Sequence, residues 1–244
     1  MKKTFAVIIL FVISLTSLNG QSQFGSIAKF GLAVGYSPMW IVPNLEPINN
    51  QLSGFGVESL PNSGMYVSGV GGYAYVLFIK NLRIGGMGYS GDVTRNNSKP
   101  GNNREVFFHT GGGVVTIEYS FPGIKKFDLS LGMMIGGGTQ ELSIYRNNSS
   151  FSWNGIWNHA NTDSSSASSF SEVLKNSFFT LAPTLNIDLP INRFMAFRIG
   201  GGYVFSIGNN WTAANEQQIN NVPSDLNGNS FFIQTGIYIG FFAF

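Results

Sequence analysis

The chain has 244 residues, with 14 Lys and Arg against 12 Asp and Glu, no Cys, 31 Gly and 22 Phe. Only 11% of its residues are charged, against about 25% in soluble domains, which leaves too little charge for a fully solvated globule. Absence of Cys excludes a disulfide framework, a thiolate metal site and a cysteine nucleophile. The formal charge of +2 does not signal nucleic-acid binding, because Lys2 and Lys3 supply the excess and the rest of the chain is balanced.

Those two lysines open a cationic, apolar and then small-polar succession over residues 1–20. The apolar part, 4–15, is too short to span a bilayer, so the pattern predicts a cleaved signal peptide and export of 21–244 as a single domain. No later window holds 18 consecutive apolar residues. An exported, charge-poor body without a spanning helix predicts strands closed into a barrel, where every backbone polar group is paired.

Alternation with a period of two supports this along the chain. Phe30, Leu32, Val34 and Tyr36 share one face, opposite Lys29, Gly31, Ala33 and Gly35. Residues 64–76 alternate weakly. Leu82 and Ile84 oppose Arg83; Val115, Ile117, Tyr119 and Phe121 oppose Thr116, Glu118 and Ser120; Leu129, Leu131 and Met133 oppose Asp128, Ser130 and Gly132. Leu185, Ile187 and Leu189 oppose Thr184, Asn186 and Asp188, with Pro183 predicting a bulge or bend because it removes a ladder hydrogen bond. Met195, Phe197 and Ile199 oppose Ala196, Arg198 and Gly200, and 230–244 is apolar on both faces. Runs of mid-strand glycine, as at 111–113 and 136–138, predict bends or close approach of large side chains.

Eight segments result, joined by short links at 77–81, 122–126 and 190–193 and by long polar ones at 38–63, 92–104, 146–176 and 208–228. Short turns on one side and long loops on the other predict periplasmic turns and extracellular loops. The leader, the eight segments and a last strand ending in Phe242 and Phe244 together resemble the small eight-stranded outer-membrane barrels of the OmpA/OmpX type. The resemblance implies an all-β, antiparallel up-and-down transmembrane barrel in the outer membrane of a Gram-negative cell. It also implies an aromatic girdle and a C-terminal signal at Phe242 and Phe244 read by the barrel-insertion machinery. Outer-membrane lipid and that machinery are the expected partners of a monomer, with no nucleic acid and no cofactor. Ile233, Ile237, Ile239 and Phe241 leave the facing of the last strand open.

Lys29, Arg83, Glu118, Asp128, Asp188 and Arg198 all fall on the face opposite the lipid positions and near the short-turn end. They predict a charge-balanced cluster closing that end of a lumen just wide enough for side chains. All four Trp, at 40, 153, 157 and 211, fall in the long links. Trp40, Trp153, Trp157 and Trp211 are thus candidates for recognition of an external ligand; Trp40 and Trp211 could instead belong to the girdle, and Trp153 and Trp157 could pack their own loop. His109, with Ser90 or Glu105 on adjacent strands, and His159 near Asp163 are what a catalytic barrel would have to use, and no spacing demands it. The expected function is therefore structural or surface-interacting, with a plugged lumen and no enzymatic activity. The alternatives are a small channel for ions or solutes and a lipid-acting enzyme. A soluble ligand-binding barrel would need the faces reversed.

Overall fold

The computed structural model describes residues 30–99, 102–122, 127–147, 152 and 169–243. Its strands are β1 (Phe30–Tyr36), β2 (Met39–Pro43), β3 (Met65–Tyr75), β4 (Leu82–Lys99), β5 (Asn102–Ser120), β6 (Asp128–Asn147), β7 (Ser169–Asn192), β8 (Met195–Thr212) and β9 (Ser230–Ala243), with one helix, α1 (Glu46–Phe55). All pair antiparallel in one sheet. β1 and β2 both lie between β3 and β9, and their pairing keeps one register across Ser37 and Pro38. They are thus a single barrel strand interrupted where Pro38 has no N–H to give the ladder. Counted so, eight strands close into a ring, and the sheet has no free edge within it.

Facing follows the alternation. Leu32, Val34, Ile84, Val115, Leu131, Leu185, Ile199 and Phe205 are exposed on the outside, and their neighbours in sequence are turned in. On β9 the outer set is Phe231, Ile233, Ile237, Ile239 and Phe241, whereas Phe232, Gln234, Tyr238 and Phe242 are buried within the ring. Both faces read as apolar because most of the side chains this strand turns into the lumen are apolar, which also explains the weak alternation of β3, where Met65, Val67, Tyr73 and Tyr75 are all buried.

Two expectations are corrected. Pro183 causes no bulge: β6–β7 pairing runs through it, opposite Met133, and the β7–β8 ladder skips Ala182 and Pro183 but resumes in the same register. The register shifts instead at Ser177/Phe179 and at Pro190/Asn192. The second correction concerns the long links, much of which is strand. Residues 92–99 pair with 102–109, so the connection there narrows to 100–101, and 169–176 belongs to β7. Asn96, Asn97, Ser98, Asn102 and Asn103 carry no apolar alternation because this part of the sheet lies above the ring's apolar belt and needs no lipid face.

Candidate functional site

The side chains inside the ring form layers. At the short-turn end, Arg83 of β4 lies 2.8 Å from Glu118 of β5, 3.1 Å from Asp128 of β6 and 2.5 Å from Asp188 of β7. Arg198 of β8 grips Glu118 through Nη1 at 2.8 Å and Nη2 at 2.9 Å, and Asp188 through Nε at 2.6 Å and Nη2 at 2.8 Å. Five charged residues from five adjacent strands thus meet, each almost fully buried. Tyr75 and Ser120 donate to Asp128 Oδ2 at 3.2 and 3.0 Å, and Tyr73 lies under both guanidinium groups, 4.8 and 5.1 Å from its ring centre. Buried ions need this density of partners because each loses several kcal/mol of hydration, of the order of 5 kcal/mol, on leaving water.

Two cations face three anions in this cluster, and Asp128 Oδ1 and Arg83 Nε have no hydrogen-bond partner. Lys29, the sixth member expected from sequence, lies outside the described residues.

A polar rung follows: Gln234 Nε2 donates to Asn186 Oδ1 at 2.6 Å, and Asn186 Nδ2 donates to Glu118 at 3.2 Å. Above it the lumen turns apolar, filled by Met39, Met87, Val114, Met134, Val204 and Phe232. An apolar cavity of about 10 Å³ remains between Met39, Tyr89 and Phe232, space for one water at most. Glycine makes room for this filling at several positions, Gly112 and Gly202 among them. A Cβ on Gly112 would stand 2.8 Å from Tyr89 Oη, and one on Gly202 would stand 2.9 Å from Phe232 Cζ.

The lumen is lidded at its long-link end by α1. Pro47 starts the helix, and Gly56, in the left-handed region at φ 75°, ends it by donating to the carbonyls of Leu52 and Ser53. Ile48 and Leu52 are buried in one core with Val106, Phe108 and Leu142. Asn49 fastens the returning chain: its Nδ2 donates to Leu60 O at 3.0 Å and its Oδ1 accepts from Leu60 N at 2.7 Å. Leu60 is thereby buried beside the helix.

The remaining site candidates fall in different places. Trp40 is on the outer face of β2, half exposed, with its indole N–H on Ser63 O at 2.8 Å and with Tyr66 opposite it and Tyr36 hydrogen-bonded to Tyr66. There it belongs to an outward-facing aromatic group with Tyr36 and Tyr66. Trp211 is neither on a loop surface nor in a girdle: it is buried, donating to Leu226 O at 2.9 Å. The register shift explains it, because β8 advances three residues from Ile207 to Asn210 while β7 advances two, with Gly208 at φ 74°. One extra residue reverses the faces beyond it. Trp153, Trp157, His159 and Phe244 lie outside the described residues, and Phe242 packs inward with Tyr73, Tyr75 and Tyr238.

His109 stands on the outer face, directly between Asp92 of β4 and Glu141 of β6, while Ser90 pairs with Gly111 and Glu105 with Asn96 and Tyr145. The Asp92, His109, Glu141 and Lys175 row is the first charged one above the glycine and apolar rows of the outer wall on these strands. Among the described residues no group of His, Asp and Glu is arranged to hold a metal.

A closed antiparallel ring of eight with an apolar exterior and a packed interior decides the architecture. The fold is that of a small outer-membrane β-barrel. Solved structures similar to this barrel include Ail, the attachment invasion locus protein of Yersinia pestis, in complex with the heparin analogue sucrose octasulfate, 10% identical over 88% of this chain and 99% of that one with a TM-score of 0.44. A major outer membrane protein of Thermus thermophilus is 6% identical over 86% and 99%, with a TM-score of 0.46. OprG of Pseudomonas aeruginosa is 11% identical over 90% and 97%, with a TM-score of 0.42. No family model matches the barrel's sequence, and no curated protein matches it.

Proposed function

We propose that this barrel sits in the outer membrane with its lumen closed and acts through the part that stands outside, as a surface-interaction protein rather than a channel. The observation that carries the reading is the pair of Arg83 and Arg198 bridging three carboxylates across the short-turn end, beneath an apolar filling and a helical lid. An ion crossing this path would have to break at least one buried pair and then cross a dry layer, and neither step is compatible with steady conduction. At the other end β4 to β7 continue past the belt, with Asp92, Thr94, Asn96, Asn103, Glu105 and Tyr145 on the outer face. This extended part of the barrel, with both its faces, is what an external ligand meets; outer-membrane lipid surrounds the belt of Leu32, Val34, Leu185 and Ile199.

Single-channel recording in planar bilayers tests the closed lumen: the expected trace is flat, and steady nanosiemens openings overturn the reading. Cells expressing a variant with 93–108 replaced by a tight turn test the surface role; adhesion to host or neighbouring cells should fall while heat-modifiable gel migration, the mark of a folded barrel, persists.

A further inference from the structure

The face of the extended sheet that continues the lumen wall carries Arg95 on β4, Arg104 on β5 and Arg146 on β6. Arg104 and Arg146 are directly opposite each other across the β5–β6 pair, and Arg95, opposite Val106, is the diagonal neighbour of Arg104. Like charges placed opposite each other repel, and a sheet tolerates them at a cost unless an anion lies between. None of the three has a carboxylate within ion-pairing distance among the described residues. Arg95 donates to the carbonyls of Ser59 and Thr94, at 3.3 and 3.0 Å, and Arg104 to the carbonyl of Phe55 and, at 3.2 Å, to Asn102 Oδ1. These acceptors carry no net charge and hold the two side chains in place, with Arg104 also 5.5 Å from the centre of the Phe55 ring, so no anionic group among the described residues neutralises either. Arg146 has no hydrogen bond among the described residues, and its Nε is shut off from water without a partner. Among the described residues, the one carboxylate on this face of the extended part is Glu172, opposite Ile144, and it reaches no cation. The segment 148–168 that follows Arg146 contains a single acidic residue, Asp163.

From this juxtaposition we infer that the inner face of the extended sheet binds a soluble polyvalent oxyanion, one bearing several phosphate or sulfate groups, with Arg104 and Arg146 gripping one group and Arg95 a neighbouring one. A guanidinium fork donates two parallel N–H groups to such an oxyanion. Phosphates of lipid headgroups share this chemistry but meet the barrel on its outer face, at the row of Asp92, His109, Glu141 and Lys175, so the ligand comes from the external solution. The inference rests on the surface-interaction reading and names its ligand class.

The test is calorimetric titration of the full chain in nanodiscs of zwitterionic lipid with inositol hexakisphosphate and inositol hexasulfate. Saturable binding that weakens as salt rises is expected, with an affinity reduced by about tenfold or more in R104Q/R146Q. R104K/R146K, which keeps the charge and loses the fork, should fall between the two. Lys175→Gln, on the opposite face, should bind as the parent does. Heat-modifiable migration shows that each variant is folded, so a loss of binding is not a loss of barrel. Absence of saturable binding, equal affinity in R104Q/R146Q, or binding only to nanodiscs loaded with phosphorylated lipid A would each overturn the proposal. Channel openings would refute the closed lumen and leave this titration standing, so the two failures are distinguishable.

Discussion

Replacing Asp188 by Asn should destabilise the barrel far more than replacing Asp128 by Asn, although both are buried lumen carboxylates facing Arg83. Asp188 receives three charge-assisted contacts from two guanidiniums, at 2.5, 2.6 and 2.8 Å. Losing its charge leaves both arginines short of an anion, and breaking a buried pair in this way costs roughly 3–5 kcal/mol. Asp128 has a single ion pair at 3.1 Å, two neutral donors on the same oxygen, and an unpartnered Oδ1, in a cluster where anions outnumber cations. Its amide keeps the acceptor and removes the surplus charge, so the expected cost is about 1 kcal/mol or less, that of one ordinary hydrogen bond. Reversible urea unfolding in phospholipid vesicles, followed by tryptophan fluorescence, gives both values on one scale. A cost for D128N equal to or above that of D188N would refute the account of how the cluster's charge is apportioned.

Three further outcomes follow from the packing. Gly112→Ala should cost about 1–3 kcal/mol through its close approach to the Gly137 carbonyl oxygen and to Tyr89, whereas Gly113→Ala, with open space around its Cβ, should be near neutral in the same unfolding assay. Deleting Gly208 removes the extra residue of β8 and should turn Trp211 outward; in a W40F/W153F/W157F background the emission then becomes quenchable by brominated lipid or aqueous acrylamide, and continued shielding counts against the bulge as its cause. Leu185→Arg places a cation on the outer face within the apolar belt and should cost about 2–4 kcal/mol, an effect that disappears in a variant refolded without a bilayer.

The eight strands and the facing of six of them were legible because lipid on one side and polar lumen groups on the other impose a period of two, as at Leu185 to Asp188. The ion cluster was legible for the same reason: Arg83, Glu118, Asp128, Asp188 and Arg198 fall on inward positions at one level, and the structure brings them into contact. Legibility ended where the two faces met similar surroundings. On β3 and β9 both are apolar, since Phe232 and Met65 fill the lumen as Phe231 and Tyr66 cover the outside. Above the belt the outer face is wet and carries no apolar residues at a period of two, so paired strands such as 92–99 looked like loop. Trp211 was misplaced by one inserted residue, whose only trace in sequence is Gly208 beside two Asn. Arg104 and Arg146 escaped notice because their opposition depends on register across two strands, which composition does not encode.

The extended sheet also gives the molecule a heading in the membrane plane. β3 begins at Met65, level with Val93, while β4 goes on for six more residues to Lys99, a rise of about 20 Å along the strand. One side of the rim is therefore a tall wall, and the end of α1 and the turn after it lean on its inner face, where the carbonyls of Phe55, Gly56 and Ser59 accept from Arg104, Asn97 and Arg95. A large object drifting in from the low side meets the arginine row together with the end of α1, whereas one from the wall side meets its polar back. Spin of the barrel about its own axis becomes part of every encounter, and a neighbour that pins that spin would set capture without touching a single binding contact.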